Sequence, residues 1–235
     1  MPASGPDFLG IGAQKAGTSW LHANLSQHPR LRFPGGKEVH FWDRDYGRGL
    51  DWYRGLFAGA RPGTLQGDIT PSYAILPTDR IAEVAAFGPS LRLIYLLRHP
   101  VDRAWSAAKM ALGRAEMELD EASDAWFRDH FCSRGSRARG DYATCIDAWL
   151  AHFPRSALLL LRYEDVVRQP ESVARAVCAH LDLDPQPLLA PANHWLRTPV
   201  FPGEPAELRP PLRAILEDLY AEPLKRLRER HGFSW

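Results

Sequence analysis

From Gly10 to Trp20 the chain reads GIGAQKAGTSW, and no other stretch constrains its fold as much. The apolar run Phe8-Leu9-Gly10-Ile11-Gly12 ends in glycines, as a buried strand does when it feeds a turn. Helix-like spacing follows through Trp20, Leu21 and Leu25 and stops before Pro29. A strand, a glycine-containing loop and a helix in that order point to an α/β fold built on a parallel sheet. The loop nearly spells the phosphate loop of ATPases, G-x-x-x-x-G-K-[ST], through Gly12, Gly17 and Ser19. Thr18 stands where that motif has its lysine, and Lys15 lies inside the turn instead.

The remaining pattern extends this alternation. Leu91 to Leu97, LRLIYLL, is nearly continuous in apolar residues, as central parallel strands are. Arg98-His99-Pro100 ends it, and Val101 to Leu112 reads as a helix with Pro100 in its first turn. Thr78 or Asp79 can cap a helix running to Phe87. Helices are expected at roughly 120–131 and 140–153, a buried strand over Ala157 to Leu161, and a helix over Glu171 to Leu181. Residues 29–63 are rich in Pro, Gly, charge and aromatics. They read as loop with short helical pieces on the ligand-contacting side of the sheet. Residues 185–211 carry many prolines and read as a long surface loop, and Leu212 to Arg230 as a basic amphipathic helix. The expectation is three layers, a central parallel sheet flanked by helices, with residues 1–235 forming one domain with insertions.

With 45% hydrophobic and 24% charged residues the chain can bury an ordinary core and is not of the disordered class. A net charge of +1 gives no general electrostatic case for nucleic acid or a membrane surface, so any anion site must be local. Cys132, Cys145 and Cys178 form no C-x-x-C pair, which argues against a zinc cluster or disulfide framework and suits a reducing compartment. The first residues lack the pattern of a secretory signal, and the longest apolar runs fall far short of a bilayer span. These readings predict a cytoplasmic protein.

A glycine turn leading into a helix presents several N–H groups to one point, and the helix dipole adds positive potential there. Lys15 brings a full charge, and Thr18 and Ser19 add hydroxyl donors. An ordinary tight turn with a surface lysine is the plain alternative. An ATPase or kinase would also need an acidic residue after a hydrophobic strand to hold magnesium. Here the best strand ends in Arg98, and the other ends in Arg162-Tyr163-Glu164-Asp165. A cation at a strand tip favours a second anion over a metal, and no metal site is expected. A regulatory module that kept the cradle without the chemistry is the third reading.

KAGTSW resembles the 5′-phosphosulfate loop of sulfotransferases that use 3′-phosphoadenosine 5′-phosphosulfate (PAPS). YLLRHPVDRAWSAAKM resembles their 3′-phosphate motif, with a Ser eight residues after the Arg. RYEDVVRQPESVARAVCAHLDL and GDITPSY are similar to further stretches of the family, the latter in its glycan-modifying, heparan-type branch. KEVHFWD, Lys37 to Asp43, is similar to the E-V-H-F-F-D run of glycan O-sulfotransferases. The likeness covers roughly Phe8 to Leu183. It implies the P-loop nucleotide-kinase-like sulfotransferase fold, PAPS as co-substrate, the 3′,5′-bisphosphate PAP as product, and no metal.

The resemblance also implies roles. The amides of Ala16, Gly17, Thr18 and Ser19 hold the 5′-phosphate, Arg98 and Ser106 the 3′-phosphate, and Trp20 stacks on the adenine or else is a core tryptophan. Lys15 stabilises the leaving group. Glu38 is the general base with His40 as its partner or an acceptor contact, although the phenol and steroid branch makes His40 the rival base. An extended Glu38–Val39–His40 would put both side chains on one face. Asp43, Asp68 and Tyr73 line the acceptor pocket. Glycan relatives tend to carry a lysine where this chain has Asp68-Ile69. Asn193 to Arg197 and Phe201-Pro202-Gly203 are candidates for a late loop over the cofactor, with Arg197 able to reach the 3′-phosphate. Trp42 and Trp52 flank the acceptor loop as exposed aromatics, whereas Trp105, Trp126 and Trp149 read as core. The acceptor is a hydroxyl on a glycan, a polyketide alcohol, a lipid headgroup or a phenol.

Overall fold

The structure, a computed structural model, describes residues 5–198, 200 and 206–235. Its elements alternate much as the hydrophobic pattern predicts. Strand β1 (Phe8–Gly12) leads to α1 (Thr18–Leu25), β2 (Leu31–Arg32), α2 (Leu50–Leu56), β3 (Leu65–Ile69), α3 (Thr78–Phe87) and β4 (Arg92–Leu97). Helices α4 (Pro100–Arg114), α5 (Asp124–Cys132), α6 (Arg134–Gly140) and α7 (Tyr142–Leu150) precede β5 (Leu158–Arg162). Then come α8 (Tyr163–Arg168), α9 (Pro170–His180), α10 (Gln186–Leu189) and α11 (Pro210–His231).

The described residues up to Leu97, with those from Ala148 to Val200, form one compact unit; Arg98–Asp147 and Ala206–Trp235 form another. The first unit contains a five-stranded sheet in the order β2-β3-β1-β4-β5, with every pair parallel. Gly10 is in register with Ile69 of β3 on one side and with Ile94 of β4 on the other. The chain leaves β1 towards β3 and later returns to its other side with β4, so the order reverses beside β1. In such sheets ligands collect outside the carboxyl ends of the strands at that reversal.

Two strands escape the sequence pattern. β2 is only two residues long, and β3, LQGDI, carries Gln, Gly and Asp where a buried parallel strand is usually apolar. Gly67 is required in β3 by close approach: a Cβ there would lie 2.2 Å from Phe8 Cζ on the neighbouring strand. The region expected as surface loop after 185 contains α10 and a 3-10 turn at His194–Leu196, which bury Leu188 and Leu196.

The second unit is helical. Val101, Trp105, Leu112, Phe127, Phe131 and Leu216 are among the side chains of its core. Arg103 is fully buried there and donates to the Ser136 carbonyl at 3.0 Å and the Tyr220 hydroxyl at 3.2 Å. Among the described residues no helix is long and apolar enough to cross a membrane.

Candidate active site

The Lys15 turn forms as its sequence predicts. The Ala13 amide donates to the Leu96 carbonyl at 2.6 Å, tying the end of β1 to β4. Lys15 takes a left-handed φ of 69° and Gly17 one of 87°. Glycine suits the second position twice over, because a Cβ would meet Tyr163 Cδ2 at 2.8 Å. Helix α1 starts with no side-chain cap, and the amides of its first turn have no acceptor within the helix. With Lys15 half-buried beside them, that arrangement fits an anion. Thr18 is 5% exposed and Ser19 half-buried.

One expectation for this loop needs correction, and for Trp20 the core alternative fits. The Ala16 amide already donates to the Ala13 carbonyl at 3.1 Å, closing the turn, so the amides left for a ligand begin at Gly17. Trp20 is 5% exposed, and its Nε1 donates to the Leu196 carbonyl at 3.0 Å. Its ring is a core ring, with too little open face to stack a base.

The second cluster lies in the loop from Lys37 to Asp43, held at the carboxyl end of β3. Glu38 and His40 are not extended; both take left-handed φ values, 65° and 58°. Their side chains still meet, with His40 Nε2 3.3 Å from Glu38 Oε2. His40 Nδ1 faces Asp43 Oδ2 at 2.9 Å. Lys37 Nζ contacts Glu38 Oε1, completing a continuous chain of polar side-chain contacts from Lys37 through Glu38 and His40 to Asp43. Half-burial pushes the Glu38 carboxyl up, but hydrogen bonding and charge from Lys37 and His40 outweigh it, so its pKa lies below the ordinary glutamate value. Asp43 therefore orients the imidazole. Lys37 was not singled out in the sequence, and its position next to Glu38 is the signal that could have found it.

Asp68 and Tyr73 do not line a pocket. Both are fully buried, as are Tyr53 and Thr70. Asp68 Oδ2 accepts from the Tyr53 and Tyr73 hydroxyls, each at 2.8 Å, and Oδ1 accepts from Thr70 Oγ1 at 2.7 Å. Burial raises the Asp68 pKa despite these three donors, and it raises those of both tyrosines. Trp42 is likewise 2% exposed, packed against Phe41 and Tyr53, and cannot grip an acceptor. Trp52 is half-buried with the Arg48 guanidinium 3.8 Å above its ring.

Arg98 follows β4 directly and opens the second unit. It is half-buried, and its carbonyl accepts from the Tyr142 hydroxyl at 2.8 Å. Ser106 is half-buried on α4, off the buried stripe of Ala104, Trp105 and Ala108. Arg197 pairs with Glu171, its Nε 2.8 Å from Oε1, as a loop arginine does. Phe201-Pro202-Gly203 lies outside the described residues. Among the described residues no group of three or more His, Cys, Asp or Glu is arranged to hold a metal ion.

The fold and loops define a parallel α/β protein with a glycine turn after β1 that fits an anion and a carboxylate–imidazole pair packed against the carboxyl end of β3. A family model described as the sulfotransferase domain matches residues 5–196, and the chain belongs to that family. It is 34% identical over 187 residues to a heparan sulfate glucosamine 3-O-sulfotransferase 3A1 of Mus musculus, covering 76% of this chain and 46% of the relative. To the 3B1 enzyme of the same organism it is 32% identical over 183 residues, with the same coverages. The chain thus matches a little under half the length of these relatives. A solved sulfotransferase from Alicyclobacillus acidocaldarius is similar at a TM-score of 0.76 and 29% identity, covering 98% of this chain and 97% of that one.

Proposed function

We propose that the chain moves a sulfuryl group from PAPS to a hydroxyl oxygen of a sugar acceptor. The observation that carries this reading is the Glu38–His40–Asp43 chain at the carboxyl end of β3, the strand next to the one that carries Lys15. It offers an ionised carboxylate, oriented from one side by an imidazole, on the same end of the sheet as an anion cradle.

The chemistry distributes over these residues as follows. The Gly17, Thr18 and Ser19 amides with the two hydroxyls hold the 5′-phosphate, and Arg98 and Ser106 hold the 3′-phosphate, the guanidinium fork matching phosphate oxygens. Glu38 accepts the acceptor's hydroxyl proton as its oxygen bonds to sulfur. The bond from sulfur to the bridging phosphate oxygen breaks, its electron pair stays on that oxygen, and Lys15 stabilises the charge that develops there. Both ring nitrogens of His40 face carboxylates, which favours Glu38 over His40 as the base. The glycan acceptor follows from the names of the relatives. The three free thiols fit a reducing compartment such as the cytoplasm.

The test is formation of PAP from labelled PAPS with a panel of acceptors: an N-sulfated heparan oligosaccharide, a neutral oligosaccharide, an aliphatic alcohol and a phenol. Glu38→Gln should keep PAP binding and lose turnover by roughly a hundredfold or more. Arg98→Ala should weaken PAP binding itself. PAP should raise the melting temperature without added magnesium. Wild-type turnover in Glu38→Gln would move the base to His40, and sulfation of the phenol alone would replace the sugar acceptor.

A further inference from the structure

The base loop is gripped by its main chain. The Glu38 amide donates to the Ile69 carbonyl at 3.1 Å. The His40 amide reaches Thr70 Oγ1 at 3.4 Å, and the Phe41 amide reaches Tyr73 Oη at 3.0 Å. Three of the four amides from residue 38 to 41 are thus held by the end of β3 and the residues just after it. Glu38 and His40 lie in the left-handed region, where a side-chain-bearing residue is strained and stays only if its surroundings fix it.

The direction of the hydroxyl protons explains why a carboxylate is buried at this place. Asp68 accepts from both the Thr70 and the Tyr73 hydroxyl. With each proton turned towards Asp68, the lone pairs of both oxygens are left for the amides of His40 and Phe41. Asp68 therefore sets the polarity of two acceptors that hold the loop. Tyr53 also donates to Asp68, and its ring stacks on Phe41 at 4.4 Å between centroids. An amide in place of the carboxylate would present N–H groups to one set of hydroxyls and turn their protons towards the loop. A buried network with one wrong polarity is worse than none.

We infer that Asp68, Thr70 and Tyr73 are positioning residues for the Glu38–His40 pair, acting through the main chain of residues 38–41. This rests on the reading of Glu38 as the base. None of the three touches the reacting atoms in this role. Their work is to hold a carboxylate and an imidazole in a conformation that the loop would not keep alone.

Asp68→Asn is the direct test, with PAP formation from PAPS across the same acceptor panel. The expected result is a kcat lower by roughly ten- to a hundredfold with PAP affinity within about twofold of wild type. Amides 38–41 should exchange hydrogen faster while the strands of the sheet keep their protection. The double variant Glu38→Gln/Asp68→Asn should turn over no more slowly than Glu38→Gln, because the second change acts only through the first residue. If Asp68→Asn does not fold, Tyr73→Phe removes one acceptor while keeping the ring and must give the same pattern. Wild-type kcat in the folded variant, or losses that multiply in the double variant, would overturn the inference while leaving the base in place. Wild-type turnover in Glu38→Gln would remove the base assignment, and the inference with it.

Discussion

The two loops at the carboxyl ends of β1 and β3 reach unusual backbone conformations by opposite means. After β1, the turn from Ala13 to Gly17 supplies most of its own geometry: a glycine at φ 87°, a local bond from Ala16 to Ala13, and a helix that begins at once. Against the end of β3, the loop from Lys37 to Asp43, which follows β2 in the chain, has no glycine, yet Glu38 and His40 are both left-handed. Its main chain is held from outside by Ile69, Thr70 and Tyr73. A loop of the first kind is written in a short motif. The second kind depends on partners some thirty residues away and on the strand that carries them.

The sharpest break in this comparison comes from chemistry. On the proposed mechanism Lys15→Met removes the charge that faces the leaving group and should lower turnover by about two to three orders of magnitude, measured as PAP formation. Next, Gly17→Ala forces a side chain into the left-handed region and against Tyr163. It should abolish most of the PAP-induced rise in melting temperature and cost about 1–2 kcal/mol of stability by urea unfolding. Gly67→Ala tests the support of the second loop from below, since its Cβ would lie 2.2 Å from the Phe8 ring. A loss of about 1–3 kcal/mol in the same unfolding measurement is expected.

A smaller effect separates the electrostatics of the second loop from its shape. Lys37 and His40 together outweigh the upward push of burial on Glu38, so Glu38 remains ionised to lower pH than an ordinary glutamate. Its pKa is depressed in the folded chain. The stabilising contribution is therefore present above the unfolded value and is lost as pH falls through the lower folded value. Lys37→Met should move the acidic limb of kcat/KM to higher pH, with little change on the plateau. The smallest effect is expected at Arg197, an exposed side chain paired with Glu171. Arg197→Ala should leave PAP binding and melting temperature unchanged within error.

Much of the first loop was legible because its determinants are neighbours in the chain. Gly12, Lys15, Gly17 and Ser19 fall within one strand–turn–helix unit, and LRLIYLL marks its partner strand by an unbroken apolar run. Even there Ala16 misled and Trp20 stayed open, because a residue's place in a motif does not show that its amide closes a turn or that its indole is satisfied by Leu196. β3 was illegible by hydrophobicity, since Gln66, Gly67 and Asp68 are polar or small yet fully enclosed. Tyr53 gave no signal at all. It lies fifteen residues from Asp68 in the chain, and only folding brings its hydroxyl to the carboxylate.

Local spacing alone specified the class of fold and the strand–glycine turn–helix around Lys15, because neighbouring residues must share one turn, helix or strand. Glu38 and His40 were marked by their resemblance to a family run. The tertiary structure decided that Asp68 and Tyr73 are internal supports and not surface contacts, and that Lys37 tunes Glu38. Burial and hydrogen-bond direction are properties of what surrounds a group, and those surroundings exist only once β3 has paired with β1.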